Sequence, residues 1–312
     1  MCVFLCIDAA VCIQCQEDQW SNERRDSCVP RSIEFLSYGE PLGATLASIS
    51  TVLSLLNIVI LGIFCKYRDT AIIKANNRDL SYLLLVSLML CFLCSYMFIG
   101  RPMKWTCMFR KMAFGLLFSF SVSCILAKTI IVIVAFNATN PTSQWRNWTG
   151  PRAPFYIVFC CFTVQLIICA IWVLTKTPHY GINTSISKKL IIQCFDGSVA
   201  LFYCMLGYMG LLACVSFIVA FFARKLPDSF NEAKYITFSL LVFVSVWVSF
   251  IPAYLSTDGK YMVAVEVFAI LASNSGLMAC IFFPKVNIIL LRPECNTKSY
   301  LLNKKHIKDK IK

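Results

Sequence analysis

Seven apolar runs dominate this sequence, at about 42–64, 80–99, 107–136, 155–174, 197–222, 235–255 and 261–284. Each is about 20 to 30 residues long, enough for a helix to cross a hydrocarbon core of ~30 Å, with tilt for the longer ones. The expectation is an all-α membrane protein, a seven-transmembrane helix bundle over residues 41–284. A polar, cysteine-bearing segment (residues 1–40) precedes it and a basic tail (residues 285–312) follows. Composition agrees. Only 14% of the residues are charged, against about 25% in a soluble domain. The net charge of +13 would suit nucleic acid, but the basic residues flank the apolar runs, so they are read as membrane topology and no nucleic-acid partner is expected.

Seven spans put the two ends of the chain on opposite sides. With the first end outside, the inner segments 65–79, 137–154, 223–234 and 285–312 carry 4, 2, 3 and 8 lysines and arginines, 17 together. The outer segments 1–41, 100–106, 175–196 and 256–260 carry 3, 2, 3 and 1, or 9. The bias favours N-out, C-in. Arg110 and Lys111, at the outer start of the third span, argue mildly the other way.

Cysteine usage fits that orientation. Most of the 18 cysteines lie inside apolar runs, where a free thiol is a small hydrophobe. Cys107 at the outer start of the third span and Cys194 before the fifth are both on the oxidising side, and a bridge would staple the second outer loop to the third helix. The alternative is two unpaired thiols. Asn183 opens an outer-facing glycosylation sequon, with an unmodified loop residue as the alternative. The sequons at Asn137 and Asn147 face inward and are expected to stay bare.

The spans hold almost no ionisable groups. Lys128 sits in the inner half of the third, Glu266 near the outer end of the seventh. The histidines, His179 and His306, lie in a loop and the tail. Ion-coupled carriers use acids or histidines along a path, so a transporter is disfavoured. No metal spacing, nucleophile or cofactor motif is present, and no catalytic function is expected. What remains is a bundle that transmits a conformational change. Pro252 interrupts the sixth span and is expected to bend it, and Pro284 is expected to close the seventh.

Several stretches resemble class C G-protein-coupled receptors. Leu226-Pro-Asp-Ser-Phe-Asn-Glu-Ala-Lys-Tyr-Ile-Thr-Phe, running into Val246-Trp-Val-Ser-Phe-Ile-Pro-Ala-Tyr, is similar to the family's third inner loop and sixth helix. Val263-Ala-Val-Glu-Val-Phe-Ala-Ile-Leu-Ala-Ser and Pro284-Lys285 resemble its seventh helix and exit. Phe35-Leu-Ser-Tyr-Gly-Glu-Pro-Leu-Gly, Ile73-Lys-Ala-Asn-Asn-Arg78 and Lys128-Thr-Ile-Ile-Val-Ile-Val-Ala-Phe136 resemble the vomeronasal type 2 (pheromone) receptors within it. The likeness covers about residues 12–300. The rhodopsin-like Asp-Arg-Tyr and Asn-Pro-x-x-Tyr motifs are missing from the third and seventh spans.

The resemblance implies a plasma-membrane receptor that acts on a heterotrimeric G protein and pairs as a homo- or heterodimer with class C receptors. It implies an inner-face lock between Lys128 and Glu232, against the alternative of a snorkelling lysine and a solvated glutamate. It implies a transmembrane cavity with Trp247, Phe250 and Tyr254, against lipid-facing or plain core packing. Arg146, Arg152, Arg224, Lys225 and Asn231 become G-protein-facing candidates, with lipid-headgroup attraction as the alternative for the basic ones. Asn287 stands where the family has a tyrosine after Pro-Lys-x, which puts coupling efficiency in question. Cys12, Cys15 and Cys28 resemble the last part of the family's cysteine-rich domain, so residues 1–40 are expected to be its remnant. Cys2, Cys6, Cys12, Cys15 and Cys28 cannot all pair among themselves. The ligand-binding domain for the pheromone does not occur in this sequence, so the resemblance implies a truncated receptor or an incomplete gene model. A competing expectation is a non-signalling partner that dimerises with full-length receptors.

Overall fold

A computed structural model describes residues 4–8, 11–16, 19–22, 27–137, 150, 152–183, 189–195, 197–224 and 232–296. Its helices are α1 (Pro41–Lys66), α2 (Ala71–Ala75), α3 (Arg78–Cys94), α4 (Lys104–Asn137), α5 (Ala153–Thr175), α6 (Val199–Ala223), α7 (Glu232–Leu255) and α8 (Lys260–Leu291). All but the short α2 are long and apolar enough to cross a membrane. In hydrocarbon every backbone N–H and C=O must be satisfied inside its own segment, which a helix does and an open strand does not.

Lipid tails are as apolar as leucine, so helices in a bilayer are held by close packing and by polar contacts between them. Ser50 Oγ of α1 donates to the Phe92 carbonyl of α3 at 2.7 Å, and Ser121 Oγ of α4 to Ser87 Oγ of α3 at 2.9 Å. The Tyr208 hydroxyl of α6 donates to the Cys161 carbonyl of α5 at 2.7 Å. Glycine sets two close approaches. A Cβ on Gly276 of α8 would lie 2.8 Å from Cγ1 of Val242 on α7, and one on Gly115 of α4 would lie 2.5 Å from Sδ of Met205 on α6. The most enclosed span is α4, whose membrane segment is 67% buried and which packs on α3, α5 and α6; α3 and α8 follow, each at 56%, and α5, at 22%, lies on the rim.

The end of the bundle carrying Cys107 and Cys194, the outer end in the expected orientation, is capped by a small sheet. Strand β5 (Ser32–Glu34) pairs in parallel with β7 (Lys189–Phe195), and β6 (His179–Asn183) pairs antiparallel on its other side. Cys194 of β7 is bonded to Cys107 of α4, with their Cα atoms 5.5 Å apart. The chain just before the first span is therefore hydrogen-bonded to the second outer loop, which is itself bonded to α4. Lys260, opening α8, adds ion pairs to Glu40 at 2.9 Å and Glu34 at 3.9 Å. Two further hairpins lie upstream, β1 (Phe4–Asp8) with β2 (Val11–Gln14) and β3 (Gln19–Ser21) with β4 (Cys28–Pro30), and Cys15 is bonded to Cys28.

Two expectations are corrected. Pro284 does not close the seventh span: α8 runs through it to Leu291. A proline inside a helix removes one N–H and costs one hydrogen bond. Here the two turns beyond it are anchored by Lys285 and Ile289, both buried in the bundle. Arg110 and Lys111 are not flanking charges. Both are buried within the bundle: the Arg110 guanidinium lies 5.1 Å from the centre of the Phe98 ring, and Lys111 is ion-paired across the bundle. They say nothing about topology, and the objection they raised to the orientation lapses.

Candidate functional site

Lys128 lies on the inner half of α4 and Glu232 is the first residue of α7, not a residue of the loop before it. Lys128 Nζ reaches Glu232 Oε1 at 3.1 Å, with the two side chains only 1% and 6% exposed. An ammonium so enclosed does not snorkel to water. Its other donors go to the Asn76 carbonyl at 2.6 Å, just past the end of α2, and to Ser81 Oγ at 2.9 Å, in the first turn of α3. Asn76 is itself fixed, since its side-chain amide donates to the Ile72 carbonyl at 2.5 Å. The same Glu232 Oε1 also accepts a hydrogen bond from Lys285 Nζ of α8 at 2.6 Å. One carboxylate thus joins α4, α7 and α8 at the inner end, and Lys128 ties the first inner turn to them.

Lys285 was missed because Pro284 placed it in the tail. The available signal was helical: Lys285, Met278, Ile281 and Phe282 share one buried face once the helix continues. Asn76 and Ser81 carried no recognisable signal, since a backbone carbonyl and a serine hydroxyl can meet a lysine anywhere.

A second cluster sits at the outer end. Lys111 Nζ of α4 binds Glu266 Oε1 of α8 at 2.7 Å, and both side chains are buried. The ammonium also lies 4.6 Å from the centre of the Phe202 ring on α6. The signal for this pair was present, because each charge falls within the first two turns of its span at the same end.

Below that pair is a small cavity of about 20 Å³, about the room one water needs, lined mainly by Phe114, Phe202, Leu206, Trp247, Phe250 and Ile270 and bounded above by Lys111 and Glu266. Trp247 is half-buried and faces inward. Its ring centre lies 5.4 Å from that of Phe114, 5.6 Å from Phe118, 6.1 Å from Phe243 and 5.2 Å from Phe250. Two buried polar atoms near this space have no partner, Trp247 Nε1 and Glu266 Oε2. Trp247 and Phe250 line the cavity. Tyr254 does not; it stacks on Phe250 one turn further out, at 5.1 Å. A residue four positions on lies ~6 Å further along the helix axis, which carries the phenol past the cavity wall.

The remaining sequence candidates are dispersed. Arg152 caps the start of α5 and Arg224 the end of α6; both are exposed, and the Arg224 guanidinium lies 3.7 Å from the Phe221 ring centre. Arg146, Lys225 and Asn231 lie outside the described residues, as does Asn147. Asn183 ends β6, opposite Ile191, and the Thr184 and Ser185 of its sequon lie outside the described residues. Pro252 lies inside α7 and Asn287 is exposed on α8. Among the described residues no three histidine, cysteine or acidic side chains come together as a metal site.

Residues 36–285 match the family described as "7 transmembrane sweet-taste receptor of 3 GCPR". The chain is 51% identical over 286 residues to vomeronasal type-2 receptor 26 of Mus musculus, a match that covers 91% of this chain and 34% of that protein. It is 48% identical over 287 residues to vomeronasal type-2 receptor 116 of Mus musculus, covering 92% and 34%. It is also 48% identical over 304 residues to the extracellular calcium-sensing receptor of Homo sapiens, covering 92% and 28%. The chain spans about a third of the length of the curated relatives it matches. With seven apolar spans and this likeness along nearly its whole length, the chain is a multi-pass plasma-membrane protein and belongs to the class C G-protein-coupled receptors.

Proposed function

We propose that this chain is the transmembrane, transducing part of a vomeronasal type-2-like receptor, passing an extracellular chemosensory signal to a heterotrimeric G protein. The observation that carries the reading is the inner cluster, in which Glu232 Oε1 sits 3.1 Å from Lys128 Nζ and 2.6 Å from Lys285 Nζ. The cluster acts as a lock on the resting state. Two ammonium groups at membrane depth need a carboxylate, so moving Glu232 away is costly until something else compensates. When the lock opens, the start of α7 is free to swing outward and uncover an inner surface. Arg146, Arg152, Arg224, Lys225 and Asn231 are the polar groups proposed to meet the G protein there. The N-terminus faces outward, where Asn183 is a proposed glycosylation site, and the receptor works as a homo- or heterodimer with class C receptors. Trp247 and Phe250 are proposed to sense modulators in the cavity.

The test is Glu232→Ala in the full chain, expressed in cells with second-messenger output measured against surface level. A shift of ~1 kcal/mol toward the active state raises basal output about fivefold while that state is rare. Unchanged basal output at equal surface delivery would remove the lock from this account.

A further inference from the structure

The inner ends of α6 and α7 enclose a groove of about 560 Å³, with Phe217, Phe221 and Arg224 on one wall and Lys234, Phe238 and Leu241 on the other. The spacing is helical. On each wall the residues fall four and then three positions apart, which sets them on one face of their helix. The two helices run in opposite directions. Arg224, just past the end of α6, and Lys234, in the first turn of α7, therefore stand at the same end. Each wall is apolar toward the middle of the bilayer and cationic at its inner end. Seven residues of helix span about 10 Å, which keeps the groove within one leaflet of a ~30 Å core.

The groove opens to the side, where the chain meets lipid. Phe238 and Leu241 are 58% and 51% exposed, and on a spanning helix such surface meets acyl chains. Arg224 and Lys234 are both exposed, and among the described residues neither is ion-paired. The Arg224 guanidinium lies 3.7 Å from the Phe221 ring centre, which holds its charge over the aromatic wall. A basic residue at the inner surface favours anionic lipid by about fivefold. An arginine fork suits two phosphate oxygens at once, and a lysine adds a point charge. Two cations on facing walls favour a head with more than one negative charge, and a phosphomonoester carries about −1.5 to −2 at neutral pH. The contact of Arg224 with a G protein proposed above belongs to the open state, after α7 has moved.

We propose that this groove seats an anionic phospholipid of the inner leaflet, with a phosphomonoester head between Arg224 and Lys234 and an acyl chain against Phe217, Phe221, Phe238 and Leu241. The head then bridges the end of α6 and the start of α7, two residues from Glu232. The choice of leaflet rests on the orientation proposed above. The site itself does not, because a nanodisc offers lipid to both faces.

The probe is phosphatidic acid with a diazirine in one acyl chain, photolysed with the full chain in phosphatidylcholine nanodiscs, and adducts are mapped by mass spectrometry. Adducts on Phe221 and Phe238 are counted relative to adducts on Phe268, which is exposed on α8. In the wild-type chain this ratio should be at least fivefold higher than with the matching phosphatidylcholine probe. Arg224→Gln combined with Lys234→Gln should bring the two probes level, while Arg224→Lys should keep most of the preference. Equal melting temperatures show that the variants are folded. Equal labelling of the wild-type chain by the two probes overturns the site, and so does a preference that survives the double substitution. Loss of labelling on adding glycerol 3-phosphate would give the cations to a free phosphate, and loss on adding nucleotide-free G protein would give the groove to that protein; either overturns the lipid. A reversed orientation of the chain would leave all these ratios intact, which separates the two failures.

Discussion

Glu232 is where a single side chain decides most. Its Oε1 accepts from Lys128 and from Lys285, so the two lysines are not equivalent to it. Removing the carboxylate leaves two buried ammonium groups facing each other, and breaking a buried pair costs about 3–5 kcal/mol. Removing Lys285 still leaves Glu232 on Lys128, whose other donors are taken by Asn76 and Ser81. Lys285→Met should therefore lower thermal stability in detergent by much less than Glu232→Gln, by ~1 kcal/mol or below. Equal losses would mean that the three groups act as one unit. Part of this site was legible in the sequence. Lys128 and Glu232 stood out through resemblance to a family motif, and a lone lysine at membrane depth demands a partner. Lys285 was hidden by the proline before it, and Asn76 by having only a backbone oxygen to offer.

At the scale of elements, the spans were legible and their surroundings were not. Length and apolarity alone mark a crossing helix, and six of the seven ended close to where the runs end. The seventh did not, because proline is a stop signal in water and a tolerated interruption inside a membrane bundle, where neighbouring helices support the turn. The outer sheet was invisible for another reason. Its strands β5 and β7 are 3 and 7 residues long and pair across more than 150 residues of chain, so no local pattern announces them. Helix contact has its own prediction. Gly276 lets α8 approach α7 until an added Cβ would lie 2.8 Å from Val242 Cγ1. Valine is stiff at χ1 and cannot fold away. Gly276→Leu should cost about 1–3 kcal/mol in overpacking, seen as a lower melting temperature. Gly276→Leu combined with Val242→Ala should recover part of the loss. No recovery would place the strain elsewhere.

For the whole molecule, the ionic clusters define an axis and a moving part. α4 is tied to α8 at the outer end by Lys111–Glu266, and to α8 and α7 at the inner end through Glu232. The ion pairs that Glu232 makes with Lys128 and Lys285 hold α7 at its inner start, and α7 carries Pro252 further along. Such an arrangement keeps α4 and α8 as a frame and lets one contact release the inner start of α7, while the close approach of Gly276 to Val242 keeps its middle on α8. The two clusters are 17 residues apart on α4, about 25 Å at helical rise. In the resting state their effects on stability should then be independent. Glu266→Gln and Glu232→Gln are each expected to destabilise the chain, and the double variant should show the sum within about 0.5 kcal/mol. Melting in one fixed detergent, with all four combinations compared, reads this directly. A departure above ~1 kcal/mol would mean that strain at one end is carried down α4 to the other. The frame would then be part of the transmission, and α7 would not be the sole moving element.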